Sequence, residues 1–153
     1  MITIVMGKIS PHQKTHGMAL LHGLRKIGLS PRITVDKYAR IEAEQVACWG
    51  WRLGQRYRAQ GHDVLVMERG YVGDRFFYTS LGWNGLNGHA RFPKYAPDGG
   101  KRFEAHGGII KPWKTDGDYA LILGQVPGDM SLQGRDMVPW YVEMAAKIKA
   151  AHS

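Results

Sequence analysis

The chain has 153 residues, 44% of them hydrophobic and 22% charged, which excludes a disordered polar chain and suits one globular domain. Its 21 Lys and Arg against 13 Asp and Glu give a formal net charge of +8, which favours anionic partners. No apolar run approaches the ~20 residues of a membrane span, and a single cysteine, Cys48, excludes an internal disulfide. A reducing, cytoplasmic location is the expectation that follows.

The first 70 residues alternate predicted strands with predicted helices. Apolar runs rich in β-branched residues predict four strands, at residues 2–9, 31–36, 45–51 and 63–68. Helical spacing of apolar residues predicts one helix within 10–28 and a shorter one within 52–61, each ending at a glycine. This alternation is typical of βαβ units, so we expect an α/β fold, a Rossmann-like parallel sheet with flanking helices.

The regular alternation stops at Gly70. Glycine, proline, aromatic and basic residues dominate 70–114, which predicts a long Gly/aromatic loop with a short strand at "FFYTSLGW" and a helical turn near "KRFEAHG". A fifth strand is predicted at 118–125, "DYALILGQ", and a final amphipathic helix at "MVPWYVEMAAKIKAA". We therefore predict one domain over 1–153.

Ligands of open parallel sheets bind outside the carboxyl ends of the strands, so the loops after the strands are the candidate sites. After the first strand, His12 is a candidate polar contact or base. After the third strand, Arg52 and Arg56 lie one helical turn apart and could grip a phosphate; a solvated helix face is the alternative. His12 and His16 have the i, i+4 spacing of metal ligands, but because no third ligand is evident we expect no metal site.

The loop after the fourth strand, "ERGYVGDRFF", groups four charged residues: Glu68, Arg69, Asp74 and Arg75. A carboxylate at a strand end is a natural general base, which makes Glu68 and Asp74 the candidate catalytic residues. Arg69 and Arg75 are candidate phosphate ligands. The alternative is that these four residues pair with one another at the surface, where ion pairs contribute little stability.

The same region offers two further kinds of ligand contact. Asn84 and Asn87 in "GWNGLNG" could bind sugar hydroxyls, or serve only as turn formers. Its aromatic side chains could stack on a base or a sugar, or form a small core under the loop. These aromatic residues are Tyr71, Phe76, Phe77, Tyr78 and Trp83.

The loop after the predicted fifth strand, "GQVPGDMSLQG", precedes a helix. Gly124, Gln125 and Gly128 could bring backbone N–H groups to an anion at the helix start, where the helix dipole favours negative charge. The alternative is an ordinary connection with Asp129 or Ser131 as the helix cap.

Two stretches of the chain carry a family resemblance. They are "ACWGWRLGQRYRAQGHDVLVMERGYVGDRFFYTSLGWNGLNGHARFP" and "DYALILGQVPGDMSLQG" with "WYVEMAAKIKA". Both resemble phage and prophage glycosyltransferase-like proteins, which are similar to two-Rossmann-domain (GT-B) and capsule-polysaccharide-type transferases. The resemblance implies that 118–153 correspond to the start of a second domain, and that a second copy or a partner chain would complete the donor site.

The resemblance also implies an activity, metal-independent transfer of a sugar from a nucleotide-sugar. Glu68 or Asp74 would then deprotonate the acceptor hydroxyl, while Arg52, Arg69 and the backbone of 124–128 would hold phosphate. No cofactor is expected beyond the nucleotide-sugar donor, and the host-cell cytoplasm is the expected location. The alternative function is non-enzymatic: a basic protein that binds nucleic acid or a host factor.

Overall fold

A computed structural model describes residues 1–7, 10–71, 73–74, 76–92 and 100–152. The chain forms two compact units, Met1–Pro97 and Asp98–Ser153. The first unit contains the sheet, and the described residues of the second form two α-helices and a 3-10 turn.

The first unit is built on a five-stranded sheet with strand order β2-β1-β3-β4-β5. The strands are β1 (Ile2–Val5), β2 (Arg32–Thr34), β3 (Gln45–Trp49), β4 (Asp63–Arg69) and β5 (Thr79–Trp83). The helices are α1 (Pro11–Lys26) and α2 (Trp51–Ala59), followed by a 3-10 turn, Asn87–His89. Strands β1 to β4 pair in parallel and β5 pairs antiparallel to β4. The α/β class with flanking helices is confirmed. The four strands predicted within residues 1–70 pair in parallel, and the antiparallel β5 makes the sheet mixed but mostly parallel.

Both faces of the sheet are covered, which explains why its central strands are continuous apolar runs. On one face, Val46, Cys48 and Val66 pack with Tyr57 of α2. On the other face, Ile4, Ala47, Leu65 and Met67 pack with Leu21 of α1. Neighbouring residues of a strand therefore belong to different cores, because side chains alternate along a strand. Burial raises the pKa of the Cys48 thiol to about 12.

Helix α1 begins where the sequence supplies a start signal. Ser10 is its N-cap and Pro11 its first residue, a position at which proline costs no hydrogen bond. The Gln13 side chain reaches back, and its Oε1 accepts from the Ser10 N–H at 3.0 Å. At the other end, Gly28 adopts a φ of 83°, a left-handed conformation that ends the helix.

The glycine- and aromatic-rich stretch 67–88 is not one long loop. Its described residues form the end of β4, a turn that Gly70 and Tyr78 close, strand β5 and the 3-10 turn Asn87–His89. Gly70 N–H donates to Tyr78 C=O at 2.8 Å, and a Cβ on Gly70 would lie 2.6 Å from the Tyr78 Cβ. The turn is thus closed by Tyr78 packed against glycine, which explains why glycines and rings occur together there.

The second unit contains α3 (Lys101–Ala105), a 3-10 turn (Met130–Leu132) and α4 (Met137–Ala151). The predicted helices at "KRFEAHG" and at the C-terminus are confirmed. The predicted strand at 118–125 was wrong: these residues form no β-ladder with any described residue, and Leu121 and Leu123 are exposed. Asp129 caps the 3-10 turn by accepting from Ser131 N–H at 2.8 Å. In the described residues, no helix is long and apolar enough to cross a membrane.

Candidate functional site

The carboxyl ends of β1, β3 and β4 meet at one edge of the sheet. The chain leaves β1 through α1 toward β2, and leaves β3 through α2 toward β4, in the opposite direction along the sheet. Such a reversal between β1 and β3 opens a crevice, and ligands of open α/β sheets bind there. The start of α1 and the end of β4 lie at this edge.

His12 of α1 and Arg69 of β4 form a hydrogen-bonded pair at this edge. The Arg69 Nε and Nη2 atoms lie 3.3 and 3.2 Å from Nε2 of His12. Because a guanidinium can only donate, Nε2 must be the acceptor, so the His12 ring is neutral and carries its proton on Nδ1. The sequence predicted both residues as part of the site, and the structure brings them into contact.

Ser10 extends this pair into a chain of hydrogen bonds. Its Oγ lies 2.8 Å from Nδ1 of His12 and 3.3 Å from Nε2; the shorter contact is the hydrogen bond, because Nε2 already accepts from Arg69. Nδ1–H therefore donates to Ser10 Oγ, and the Ser10 hydroxyl proton is left to donate elsewhere. The Ser10 N–H is already bonded to Gln13.

Aromatic rings surround His12 and Arg69. The His12 ring meets Trp49 and Phe76 edge-on, with centroids 5.7 and 5.5 Å apart. The Arg69 guanidinium lies over the Phe76 ring at 4.8 Å. Phe76 is 54% exposed, so one face of this arrangement is open to a ligand. A cation over the face of an aromatic ring is attracted to the ring, and this attraction holds the Arg69 guanidinium in place.

His16, one turn after His12, is buried in the same cluster. It is 4% exposed, packs on Trp49 with centroids 5.5 Å apart, and shares a hydrogen bond with the Thr79 hydroxyl through Nδ1. Its Nε2 has no hydrogen-bond partner among the described residues. A buried polar atom without a partner costs about 1–3 kcal/mol, and in native proteins such atoms cluster where ligands or waters bind.

The electrostatics of the cluster keep His12 neutral. Desolvation lowers the pKa of His12, and the Arg69 guanidinium and the neighbouring His16 lower it further, while the Glu68 carboxylate acts in the opposite direction. This agrees with the hydrogen-bond directions, since a protonated ring could not accept from Arg69.

The two predicted catalytic carboxylates are placed differently. Glu68 is half-buried at the end of β4 and, since strand side chains alternate, projects to the α2 face, opposite to Arg69. Asp74 belongs to the turn after β4, where its Oδ1 accepts from Phe76 N–H at 2.8 Å. Asp74 thus shapes the turn that carries Phe76. Glu68 Oε1 accepts from the Arg69 backbone N–H at 3.2 Å, and Glu68 raises the pKa of His12, so Glu68 lies at the same edge as the cluster although its side chain projects to the other face.

Other predicted ligand contacts lie apart from this cluster. Arg52 is exposed at the start of α2, at the same edge but on the opposite face from Arg69. Asn84 lies at the other edge of the sheet, because β5 runs back along β4: its Oδ1 accepts from Val64 N–H at 2.7 Å and its Nδ2 donates to Asp63 at 2.9 Å.

The remaining predicted contacts belong to other parts of the chain. Asn87 lies in the 3-10 turn Asn87–His89, a few residues after Asn84. Arg75 lies outside the described residues. Gly124, Gln125 and Gly128 belong to the second unit. There Gln125 N–H donates to the Tyr141 hydroxyl at 3.2 Å, and that hydroxyl occupies the place a Gly124 Cβ would take.

Three residues of the cluster were not predicted as part of a site: Ser10, Trp49 and Thr79. For Trp49 a signal was present, since alternation in β3 puts it on the face of Ala47. Ser10 was readable only as a helix cap. Thr79 carried no signal, because its place depends on the pairing of β5 with Arg69 of β4.

No metal centre is found in the described residues, where no three His, Cys, Asp or Glu side chains are grouped to hold an ion. Neither family models nor curated proteins match the sequence, and no solved structure matches the fold. Any assignment of function therefore depends on the residues of the Ser10–His12–Arg69 cluster themselves.

Proposed function

We propose that the first unit is a Rossmann-like domain that binds the phosphate of a nucleotide or nucleotide-sugar, and that the protein is a glycosyltransferase of the metal-independent kind. The observation that carries the proposal is the directed hydrogen-bond chain from Arg69 through His12 to Ser10, at the carboxyl edge of the parallel strands. The resemblance of the chain to phage glycosyltransferase-like sequences supplies the choice of a sugar donor.

The hydrogen-bond chain from Arg69 through His12 to Ser10 has hydrogen-bond donors at both of its ends. Arg69 has five N–H groups, of which His12 takes those on Nε and one on Nη2. No described residue accepts from its remaining N–H groups or from the Ser10 hydroxyl, so these groups can donate to a ligand. The start of α1 adds the positive end of the helix dipole. Phosphate oxygens are acceptors only, so this array matches a phosphate in both charge and hydrogen bonding.

The exposed face of Phe76 complements this array with an apolar surface. A nucleoside base or a sugar ring could stack there beside the bound phosphate. Arg69 is shared between the two parts, since it lies over Phe76 and bonds to His12. Loss of Arg69 should therefore affect binding more than loss of any other exposed arginine.

We assign the role of general base to Glu68. Its side chain projects to the opposite face from that of Arg69, but it lies at the same carboxyl edge and raises the pKa of His12. Its carboxylate would take the proton of an acceptor hydroxyl while the acceptor oxygen bonds to the anomeric carbon of the donor. The bond from that carbon to the phosphate oxygen breaks, and the nucleoside diphosphate leaves with the electron pair. Arg69 and Ser10 would stabilise the charge that develops on the leaving phosphate.

Thermal unfolding with UDP, GDP, ADP and UDP-glucose, at low and moderate salt, tests the proposal. A ligand that binds the folded state stabilises it by about 2.7 kcal/mol at a hundred times its Kd. We expect one nucleotide to raise the Tm at both salt concentrations. Arg69→Ala should abolish that rise, while Arg25→Ala, which removes an exposed arginine of α1, should preserve it.

Either of two results would contradict the proposal. One is the absence of a Tm rise with every nucleotide. The other is a rise of equal size in the Arg69→Ala and Arg25→Ala variants, which would show that the ligand responds to net charge only.

A further inference from the structure

The α2 face of the first unit carries a basic surface around an exposed tyrosine. Tyr38 lies between β2 and β3 and is 60% exposed. Lys37 Nζ lies 5.0 Å and Arg56 Cζ 4.4 Å from the centre of its ring. Arg52 precedes Arg56 by one turn of α2 and is also exposed. We name Lys37, Tyr38, Arg52 and Arg56 the Tyr38 surface.

Two hydrogen bonds hold the backbone of the Tyr38 surface in place, and this backbone lies close to Gly7. The buried Tyr57 hydroxyl donates to Lys37 C=O at 3.1 Å. The Asp36 Oδ1 accepts from Tyr38 N–H at 2.8 Å. A Cβ on Gly7, just beyond β1, would lie 3.2 Å from the Lys37 Cβ. The surface is therefore attached to the carboxyl edge of the sheet.

The charges of this surface are unbalanced. Helix α2, "WRLGQRYRA", contains three arginines and no acidic residue. Asp36 is the acidic residue next to Lys37, and its carboxylate already accepts from the Tyr38 backbone. Lys37 and Arg56 both lie within 5.0 Å of the centre of the Tyr38 ring, so an anion bound beside the ring would be attracted by both charges. The net charge of +8 adds a long-range attraction for polyanions.

We propose that the Tyr38 surface binds a single strand of nucleic acid. Lys37, Arg52 and Arg56 would contact backbone phosphates, and an unpaired base would stack on the Tyr38 ring or on the Arg56 guanidinium plane. A duplex keeps its bases stacked inside, so an exposed ring favours a single strand. The surface lies on the opposite face from Arg69, and this proposal does not depend on the nucleotide site.

The test is fluorescence anisotropy of a labelled oligothymidine with the full chain at a series of salt concentrations. Lys37→Ala/Arg56→Ala removes two charges from the surface. Arg25→Ala/Lys26→Ala removes two exposed charges from the end of α1 and is the matched control. We expect the first variant to lower the slope of log Kobs against log salt by about 1.4, at about 0.7 for each phosphate that the variant no longer neutralises. The control should keep the wild-type slope.

The ring is tested separately from the charges. Tyr38→Ala should weaken oligothymidine binding by about tenfold or more, and Tyr38→Phe, which keeps the ring, should bind like wild type. Equal weakening by the two double variants, no binding at low salt, or tighter binding of the matched duplex would overturn the proposal. The UDP-induced Tm rise of Lys37→Ala/Arg56→Ala, measured in parallel, reports on the nucleotide site alone.

Discussion

The hydrogen bonds of the site depend on pH because they require a neutral His12. Its pKa in the folded chain lies below the ordinary value of 6.5, so the unfolded chain binds more protons as the pH falls through 6.5. Its contribution to stability is therefore present above that pH and is lost on acidification toward the lowered pKa. We expect the free energy of unfolding of wild type, measured with urea, to fall more steeply below pH 6.5 than that of His12→Gln.

The glutamine variant serves as the control because it cannot titrate. The Gln side chain still offers an oxygen to Arg69 without gaining charge. Parallel decline of both proteins with falling pH would show that other groups determine the acid sensitivity, and would contradict the neutral state assigned to His12.

The buried His16 side chain and the half-buried Thr79 side chain form a unit whose loss is not additive. Thr79→Val leaves Nδ1 of His16 buried without its partner, which should lower the free energy of unfolding by about 1–3 kcal/mol. His16→Phe/Thr79→Val replaces both polar groups with apolar ones and should be more stable than Thr79→Val alone. A double-mutant cycle by urea unfolding measures this coupling; additive losses would show that the two side chains do not interact.

The sequence indicated the polar residues of the site better than their partners. His12 and Arg69 were found because each follows a strand at the carboxyl edge, which is readable from strand order. Asn84 was misplaced because its position depends on the direction of β5. That direction follows from a connection, residues 70–78, shorter than the roughly dozen residues that a parallel crossover needs. The sequence did not show where the loop after β4 ends and β5 begins.

At the scale of elements, α2 packs closely on the sheet through a glycine. A Cβ on Gly54 would lie 2.8 Å from Trp51 Cε3 and 3.1 Å from Val66 Cγ2. We expect Gly54→Ala to destabilise the protein by about 1 kcal/mol, because overpacking of about 1–3 kcal/mol exceeds a gain in helix propensity of about 1 kcal/mol.

Gly23 of α1 is the matched control for this substitution. It is exposed, and a Cβ there would have open space within 4 Å. Gly23→Ala should therefore raise the free energy of unfolding by about 1 kcal/mol. Urea unfolding of both variants tests the packing of α2; a gain from both substitutions would contradict the close approach at Gly54.

The four parallel strands and the helices were predictable because their hydrophobic period is local. The segment 118–125 shows where a local pattern fails. Its apolar residues have the composition of a strand, but a strand exists only when another strand pairs with it. Leu121 and Leu123 are exposed, with no ladder partner among the described residues.

At the scale of the whole molecule, the buried core belongs to the first unit. Every described residue that is buried and hydrophobic lies between Ile2 and Met67. We expect native-state hydrogen exchange to be slowest in β1, β3 and β4, and fast throughout α4, because protection follows buried contacts. Amides of α4 that exchange as slowly as those of β3 would contradict this, since they would require a core that α4 shares.

The central claim is that a phosphate-bearing nucleotide binds at the Ser10–His12–Arg69 cluster. The most direct measurement is a nitrogen-15 NMR spectrum of the histidine side chains in the full chain, with and without UDP. The account predicts a neutral His12 with its proton on Nδ1, whose signals move with UDP while those of exposed His22 on the same helix stay fixed. A cationic His12 in the free protein, or His12 signals that UDP leaves unchanged, would contradict it.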